Sequence, residues 1–497
     1  MNERMKAYHD VWYDIIEDPY RPSYHFCGPF GFATPFDPNG LLFWNGRYHM
    51  FYIYQDDEDR HCWGHASTVD FVHWKPHKPA LKPDSPQSGS RIYSGNVFLS
   101  KEGIPTAAYC GYDLGVCIAE SRHCDLDVWE LCEDNPVIPI PDPQQRHYSQ
   151  YNLYDANVWI EGDSYKNLVG GIVRVEEEMY DTAYLYTSED LRHWNFQGEF
   201  YRPQPGWTHK NEDCACPDFF SLGGRHVLVC ISHLYGARAY IGDYRNGCFL
   251  PDHHYRINTP GGCLFAPESF LDQKGRRIMM IWATDSHLKE DALTKYSTCM
   301  AIPRVLSLRN GTHLAAEPIE EIRALSYDYH FLEGNAIPEG PLLPKEFSGR
   351  AKRYRVELKH KAAGCSGIKL FCSVDGTEET SVFVRWGDHS LNIDFSKSRM
   401  DPIPYVGTDS VILLDEDWAV ESRQQITCQT RELNDVSNRD ITLEIYTDGS
   451  ILEVFADDGT AMAQRVYPAG KSSIHCALIG DGEDFGKLET WAMDTAR

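Results

Sequence analysis

Three segments of the chain offer carboxylates in settings that could do chemistry. In FDPNGLLFWNGRYHMFY, Asp37-Pro38-Asn39-Gly40 is a turn that delivers Asp37 to a strand edge just ahead of an apolar run. YDANVWIEGDSYKNLVGG carries Asp155, and NEDCACPDFFSL, Asn211 to Leu222, carries Glu212, Asp213 and Asp218. Carboxylates that converge from distant segments suit glycoside hydrolysis. One attacks the anomeric carbon or holds a water, another protonates the leaving oxygen, and polar groups grip the ring hydroxyls. A D-P-N-G turn alone signals little, so the case rests on what would bring the segments together.

A weak repeat supplies that. STVDFVHW, HCDLDVW and TSEDLRHW each place Asp four residues before Trp, as Asp70/Trp74, Asp125/Trp129 and Asp190/Trp194. Short alternating strands such as RYHMFYIY, AYLYTS and HVLVCIS flank these units, and helical periodicity is scarce. The pattern predicts propeller blades of roughly four strands apiece, whose loops meet at one end of a central channel. Residues 1–335 are expected to form this catalytic propeller, with an N-terminal extension. Ile302 to Pro344 reads as a last blade strand and a connector. From 345 to 497, strands such as YRVELKH, TSVFVRW and ITLEIYTDGSILEVFADD predict a β-sandwich, with Asp448-Gly449 supplying a tight hairpin turn. The expected fold class is all-β.

Composition narrows the partners. The 497 residues exceed one ordinary core, and the formal net charge of −26 argues against nucleic acid and anionic membrane. With 12 Trp and 29 Tyr, rings are plentiful enough for sugar-stacking surfaces as well as for core. The N-terminus lacks the apolar stretch of a signal peptide, no run matches a membrane span, and the expected location is the cytoplasm. The 16 cysteines are scattered and read as small buried hydrophobes; Cys214 and Cys216 lack a second pair at zinc spacing, so no metal is expected. Homo-oligomerisation is left open.

Asp37 to Leu81, including HCWGHASTVDFVHWKPHKPAL, closely resembles the opening blade of glycoside hydrolase family 32, the invertases, inulinases and levanases that act on β-fructofuranosides. LYTSEDLRHWNFQGEF, YIGDYRNGCFLPD, LFAPESFLDQKGRRIMMIW, IPRVLSL and GSILEVFADDGTAMAQRVYP resemble further family landmarks in the same order. The resemblance implies a five-bladed propeller followed by a β-sandwich, no cofactor, and a small carbohydrate as substrate. It implies that Asp37 is the nucleophile and that Asp155 binds ring hydroxyls and stabilises the transition state. Trp63, Tyr93 and Ser94 match pocket-lining positions, and Asn39 falls within the nucleophile motif.

Departures from the pattern cluster around the expected pocket. Thr34-Pro35-Phe36 replaces Trp-Met-Asn, and Ile53 stands in for a glutamine, with Gln55 two residues on and on the same side of a strand. Tyr154 replaces the arginine beside Asp155, Ala156 the proline after it, and Glu268 a glutamine. These changes predict an altered substrate, such as a difructose anhydride, another compact fructose disaccharide, or an unusually linked fructoside. Ala215 occupies the place of the acid/base glutamate. Three explanations are open: an engineered Glu→Ala exchange that leaves the protein inactive, a natural carbohydrate sensor, or an acid relocated to Glu212 or Asp213. The last is disfavoured because three residues of extended strand displace a side chain by about 10 Å. A propeller arabinofuranosidase or xylosidase is the alternative enzyme class.

Overall fold

A computed structural model describes residues 17–28, 35–140, 154–175, 178–209, 212–284, 298–337, 341–399, 407–408, 425–434, 436 and 438–496. The described chain is nearly all β, with only short 3-10 turns recurring between strands, and none of its helices is long and apolar enough to cross a membrane.

The N-terminal part is a succession of antiparallel meanders, each with its strands in sequence order. Sheet I runs from Pro38–Trp44 through Arg47–Gln55 and His61–Thr68 to Trp74–Pro76. Sheet II starts at Ile92–Leu99, sheet III at Tyr154–Glu161, sheet IV at Ala215–Leu222 and sheet V at Leu264–Leu271. These first strands pack side by side in order, and that of sheet V returns against that of sheet I. The arrangement is consistent with a propeller.

The strands are buried on both faces because each sheet lies between two others. Side chains alternate across a strand, so adjacent residues enter different cores. Phe51 packs with Trp63, Val97 and Tyr109 between sheets I and II, whereas Met50 joins Val227, Val229 and Met280 on the other side. The Asp-x-x-x-Trp repeat marks the turn before the last strand of a sheet. Asp70 accepts the N–H groups of Val72 and His73, and Asp190 those of Arg192 and His193. The residue after each repeat Asp has positive φ, at Phe71, Leu126 and Leu191. The Trp129 and Trp194 indoles close the turn on the carbonyls of Leu126 and Leu191.

The C-terminal part packs a six-stranded sheet against a five-stranded one, the β-sandwich expected from sequence. Tyr354, Val356, Ile445 and Val454 of the first sheet meet Ile368, Val382, Leu391 and Ile393 of the second. The chain enters this sandwich early: Ser326–Glu333, on the propeller side of the boundary expected at 335, pairs with Phe485–Met493. At the Asp448-Gly449 hairpin, Gly449 has φ +60° and a Cβ there would sit 2.8 Å from the Tyr20 carbonyl, so the turn needs glycine twice over.

Buried ionic groups join the two parts. Arg304 Nη2 donates to Glu453 at 2.7 Å, and His25 bridges Asp448 and Glu453 at 2.9 and 3.0 Å.

Candidate active site

Every inner strand carries a register slip at its start: between Asn39 and Leu41, Ile92 and Gly95, Tyr154 and Ala156, Ala215 and Asp218, and Phe265 and Pro267. Gly40, Asp155, Cys216 and Ala266 sit at these slips with φ of +70°, +37°, +45° and +45°. A β-bulge inserts a residue and re-aims its side chain, and non-glycine residues held at positive φ cost roughly 1 kcal/mol or more each. The repeated bulge turns side chains from successive sheets toward one cavity of about 380 Å³, within the usual size of a ligand site.

Asp37, Asp155 and Cys216 line this cavity together with Tyr93 and Ser94. Cys216 ties the two carboxylates to one another: its thiol lies 3.5 Å from Asp37 Oδ2, and its N–H donates to Asp155 Oδ2 at 2.8 Å. The Ser94 hydroxyl donates to Asp37 Oδ2 at 2.8 Å. Burial pushes Asp155 up to about 6 against the Cys216 N–H, with the neighbouring Asp37 charge adding to the rise. Asp37 is raised by burial, and the Ser94 and Cys216 hydrogen bonds hold it down. Ala215 precedes Cys216 directly; its methyl is 1% exposed and lies in the apolar core.

The remaining expected residues fall in different places. Trp63 is fully buried behind the wall, its indole donating to the Tyr93 carbonyl at 2.9 Å, so it supports the pocket and does not line it. Ile53 lines the cavity where Gln55 was expected, because the Ile53 backbone is hydrogen-bonded to Phe36 and Asp37. Asn39 is fully buried, with neither amide atom hydrogen-bonded among the described residues. Glu268 is buried beside Asp218 and Arg277, accepts from the Gly40 N–H, and is not among the lining residues; burial and the Asp218 charge hold it well above the ordinary carboxylate range. The side chain of Tyr154 lies outside the described residues.

Several lining residues were not anticipated as site residues: Phe36, His61, Tyr112, Asp113, His233, Phe265 and Trp282. Phe36, Phe265 and Trp282 form an edge-to-face wall with ring centroids 5.2 and 5.8 Å apart, and Tyr93 and Tyr112 a second at 5.5 Å. His233 Nδ1 is 2.5 Å from Asp213 Oδ2, and its N–H donates to Oδ1 at 2.9 Å. Burial alone would lower the His233 pKa, but the Asp213 charge and hydrogen bond, followed by the Asp155 and Asp37 charges, lift it to about 9. Continuing the Ala215 to Ile231 pairing two residues outward sets Asp213 opposite His233, a relation visible in sequence only to a reader who places the bulge.

Glu212 and Asp213 are not relocated acids. Glu212 is fully buried, not on the rim, and accepts from Arg238, Arg256 and the His209 N–H at 2.7, 3.1 and 2.7 Å. Despite burial, the arginines keep it below the ordinary range, and His233 does the same for Asp213.

Outside the cavity, the ligand atoms of His49, His65 and His77 lie within 4.8 Å of one another. His65 stacks on His77 at 4.2 Å and 20°, and the ring nitrogens are engaged with one another and with neighbours: His49 Nδ1 with His65 Nε2 at 2.8 Å, and His77 with the Ser67 hydroxyl at 2.7 Å and Asp127 at 3.0 Å.

Comparison with known proteins covers most of the chain. Residues 25–318 match the glycosyl hydrolases family 32 N-terminal domain, and residues 322–492 the glycosyl hydrolases family 32 C terminal. A sucrose-6-phosphate hydrolase of Vibrio alginolyticus is 24% identical over 90% of this chain and 86% of its own. A fructan 6-exohydrolase of Beta vulgaris is 26% identical over 97% of this chain and 88% of its own. The solved fructan 1-exohydrolase IIa of Cichorium intybus shares the fold, with a TM-score of 0.80 at 22% identity over 97% of this chain and 98% of the other. With both regions matched, the chain belongs to glycosyl hydrolases family 32.

Proposed function

We propose that the protein is a retaining fructofuranosidase whose meanders are the blades of a five-bladed propeller, followed by a sandwich that begins near Ser326. The observation that carries the reading is Cys216, which contacts the carboxylates of Asp37 and Asp155 at once within a single cavity. Asp37 attacks C2 of a fructofuranosyl unit. The C2–O bond breaks, an ester to Asp37 forms, and water then releases fructose with retained configuration. Asp155 binds ring hydroxyls that tighten against the flattened ring.

The substrate is a neutral, compact fructoside. Among the described lining residues none is Lys or Arg, which disfavours a phosphorylated sugar, and the two aromatic walls suit a disaccharide with little exposed edge, such as a difructose anhydride.

Ala215 cannot itself protonate a leaving group, and a site without any well-placed acid turns over fructosides with alkoxide leaving groups about 10²–10⁴-fold more slowly than one that has it. The test is fructose release by the parent and by Ala215→Glu from sucrose, sucrose 6-phosphate, 1-kestose, difructose anhydrides and a nitrophenyl fructoside. Faster release by the variant, with neutral sugars ahead of phosphorylated ones, is expected. Binding of fructosides by calorimetry, with no turnover of any of them by either protein, supports a carbohydrate sensor instead.

A further inference from the structure

We infer that His233, oriented by Asp213, is the proton donor and acceptor of this active site, replacing the missing carboxylic acid at position 215. The inference rests on the fructosidase reading above. Three observations place it. His233 lines the same cavity as Asp37 and Asp155. It leaves the strand that pairs with the Ala215 strand, two residues beyond the partner of Ala215 itself. Its Nδ1 and its backbone N–H are both held by the Asp213 carboxylate, which fixes the ring, while the side chain remains 31% exposed toward the cavity.

The other candidates fail on their surroundings. Glu212 is locked between Arg238 and Arg256 and does not line the cavity. His61 lines it, but burial pushes its pKa down to about 4, so it carries no spare proton near neutrality. Asp113 is exposed and accepts from Ser90. The Cys216 thiol is raised well above its ordinary value by burial and by both catalytic carboxylates. Asp213, Asp155 and Asp37 are among the groups that face His233, with the Phe265 ring 6.2 Å from it and Arg238 donating to the Asp213 carbonyl behind it. Three carboxylates around one imidazole keep it protonated at the pH where Asp37 is ionised.

The chemistry balances. As Asp37 forms its bond to C2, the glycosidic C2–O bond breaks and the leaving oxygen takes the proton from His233 Nε2. The now neutral imidazole removes a proton from water as the water oxygen bonds to C2, Asp37 leaves as carboxylate, and His233 is again protonated. With Nδ1 held by Asp213, the transferable proton is the one on Nε2. This is the division of labour by which a buried Asp sets the tautomer of a catalytic His elsewhere.

The experiment compares the parent with His233→Asn and Asp213→Asn on sucrose, 1-kestose and a nitrophenyl β-fructofuranoside, whose leaving group needs no proton. For His233→Asn, kcat/KM on the two sugars is expected to fall at least 100-fold and on the nitrophenyl substrate far less. The Asp37 ester should accumulate by mass spectrometry, and azide should restore turnover as fructosyl azide. For Asp213→Asn, the alkaline limb of the parent pH profile, expected near 9, should move down by at least one pH unit, a shift that a purely structural role does not produce. The same variant serves if His233→Asn does not fold. Equal losses on all three substrates, an unmoved alkaline limb, or a parent that cleaves only the nitrophenyl fructoside would overturn the inference and leave the fructosidase reading standing. A parent that cleaves none of the three and forms no Asp37 ester overturns that reading itself.

Discussion

Two histidines of this protein hold the same kind of company, one sealed and one open to a cavity. His25 lies at the junction of propeller and sandwich, between Asp448 and Glu453, and all three side chains are at most 1% exposed. His233 lies against Asp213 with 31% of its side chain exposed in the cavity. Burial opposes the charge on both, and carboxylate hydrogen bonds and charges overcome it, so both rise to about 9. At His25 no water or ligand can reach the proton, and the charge serves as a fastener. At His233 the ring borders the cavity. Access, more than pKa, separates a structural imidazolium from a chemical one.

The largest effect that would sharpen this contrast belongs to the cavity. Asp37→Ala removes the proposed nucleophile, so turnover of every fructoside, the nitrophenyl one included, should fall by at least about 10⁴-fold, or about 5.5 kcal/mol of barrier. Thermal stability should hold or rise, since a raised, buried carboxylate is gone. The reverse pattern is expected at the junction. Glu453→Ala strands Arg304, His25 and the Ile302 N–H, and breaking such a buried network costs about 3–5 kcal/mol. Denaturant midpoints should show that loss while kcat/KM of the folded fraction stays near the parent. Loss of activity without loss of stability at Glu453 would break the comparison.

Proton linkage gives the next effect. A histidine raised from 6.5 to about 9 in the folded state binds its proton more tightly than the unfolded chain does. Its contribution is therefore complete below pH 6.5 and is lost as pH rises through about 9, worth about 3 kcal/mol for a fully sealed group. Unfolding free energy of the parent should fall between pH 6.5 and 9. In Glu453→Ala that slope should flatten. An unchanged slope would mean that His25 is not the charged fastener described here.

Much of the fold could be read from the chain because each strand obeys a period of two and each Asp-x-x-x-Trp turn repeats the same local hydrogen bonds. The sandwich followed from its hairpins in the same way. The candidate site was legible where a motif fixed it, at Asp37, Asp155, Tyr93 and Ser94, all of which line the cavity. It was not legible where a bulge intervened. A single inserted residue changes which face a side chain takes, and the slip between Phe265 and Pro267 precedes Glu268, which lies beside Asp218 beneath the wall. His233 was hidden for the same reason: its partner Asp213 lies 20 positions earlier in the chain, and the slip between Ala215 and Asp218 sets them opposite. Ile53 and Gln55 share one side of a regularly paired strand, and which of them reaches the wall depends on where the strand meets the cavity.

The smallest effect tests the contrast between sealed and open groups with one residue type. Trp63 and Trp282 are both largely buried aromatic residues of this region, but the Trp63 indole N–H is spent on the Tyr93 carbonyl, whereas that of Trp282 has no hydrogen-bond partner among the described residues and its ring lines the cavity. That N–H is sealed within the protein, so what the cavity is offered is the indole ring surface. Trp282→Phe keeps an aromatic ring in the wall with Phe36 and Phe265, trims the surface a sugar can stack on and removes a buried donor without a partner among the described residues. KM for the preferred fructoside should rise by about 5-fold, near 1 kcal/mol, with kcat within about twofold and thermal stability unchanged or raised. Trp63→Phe should do the opposite, lowering stability by about 1 kcal/mol through the lost bond to Tyr93. If Trp282→Phe instead destabilises the fold and leaves KM alone, its indole is a fastener like His25, and the open side of the comparison is narrower than the cavity lining indicates.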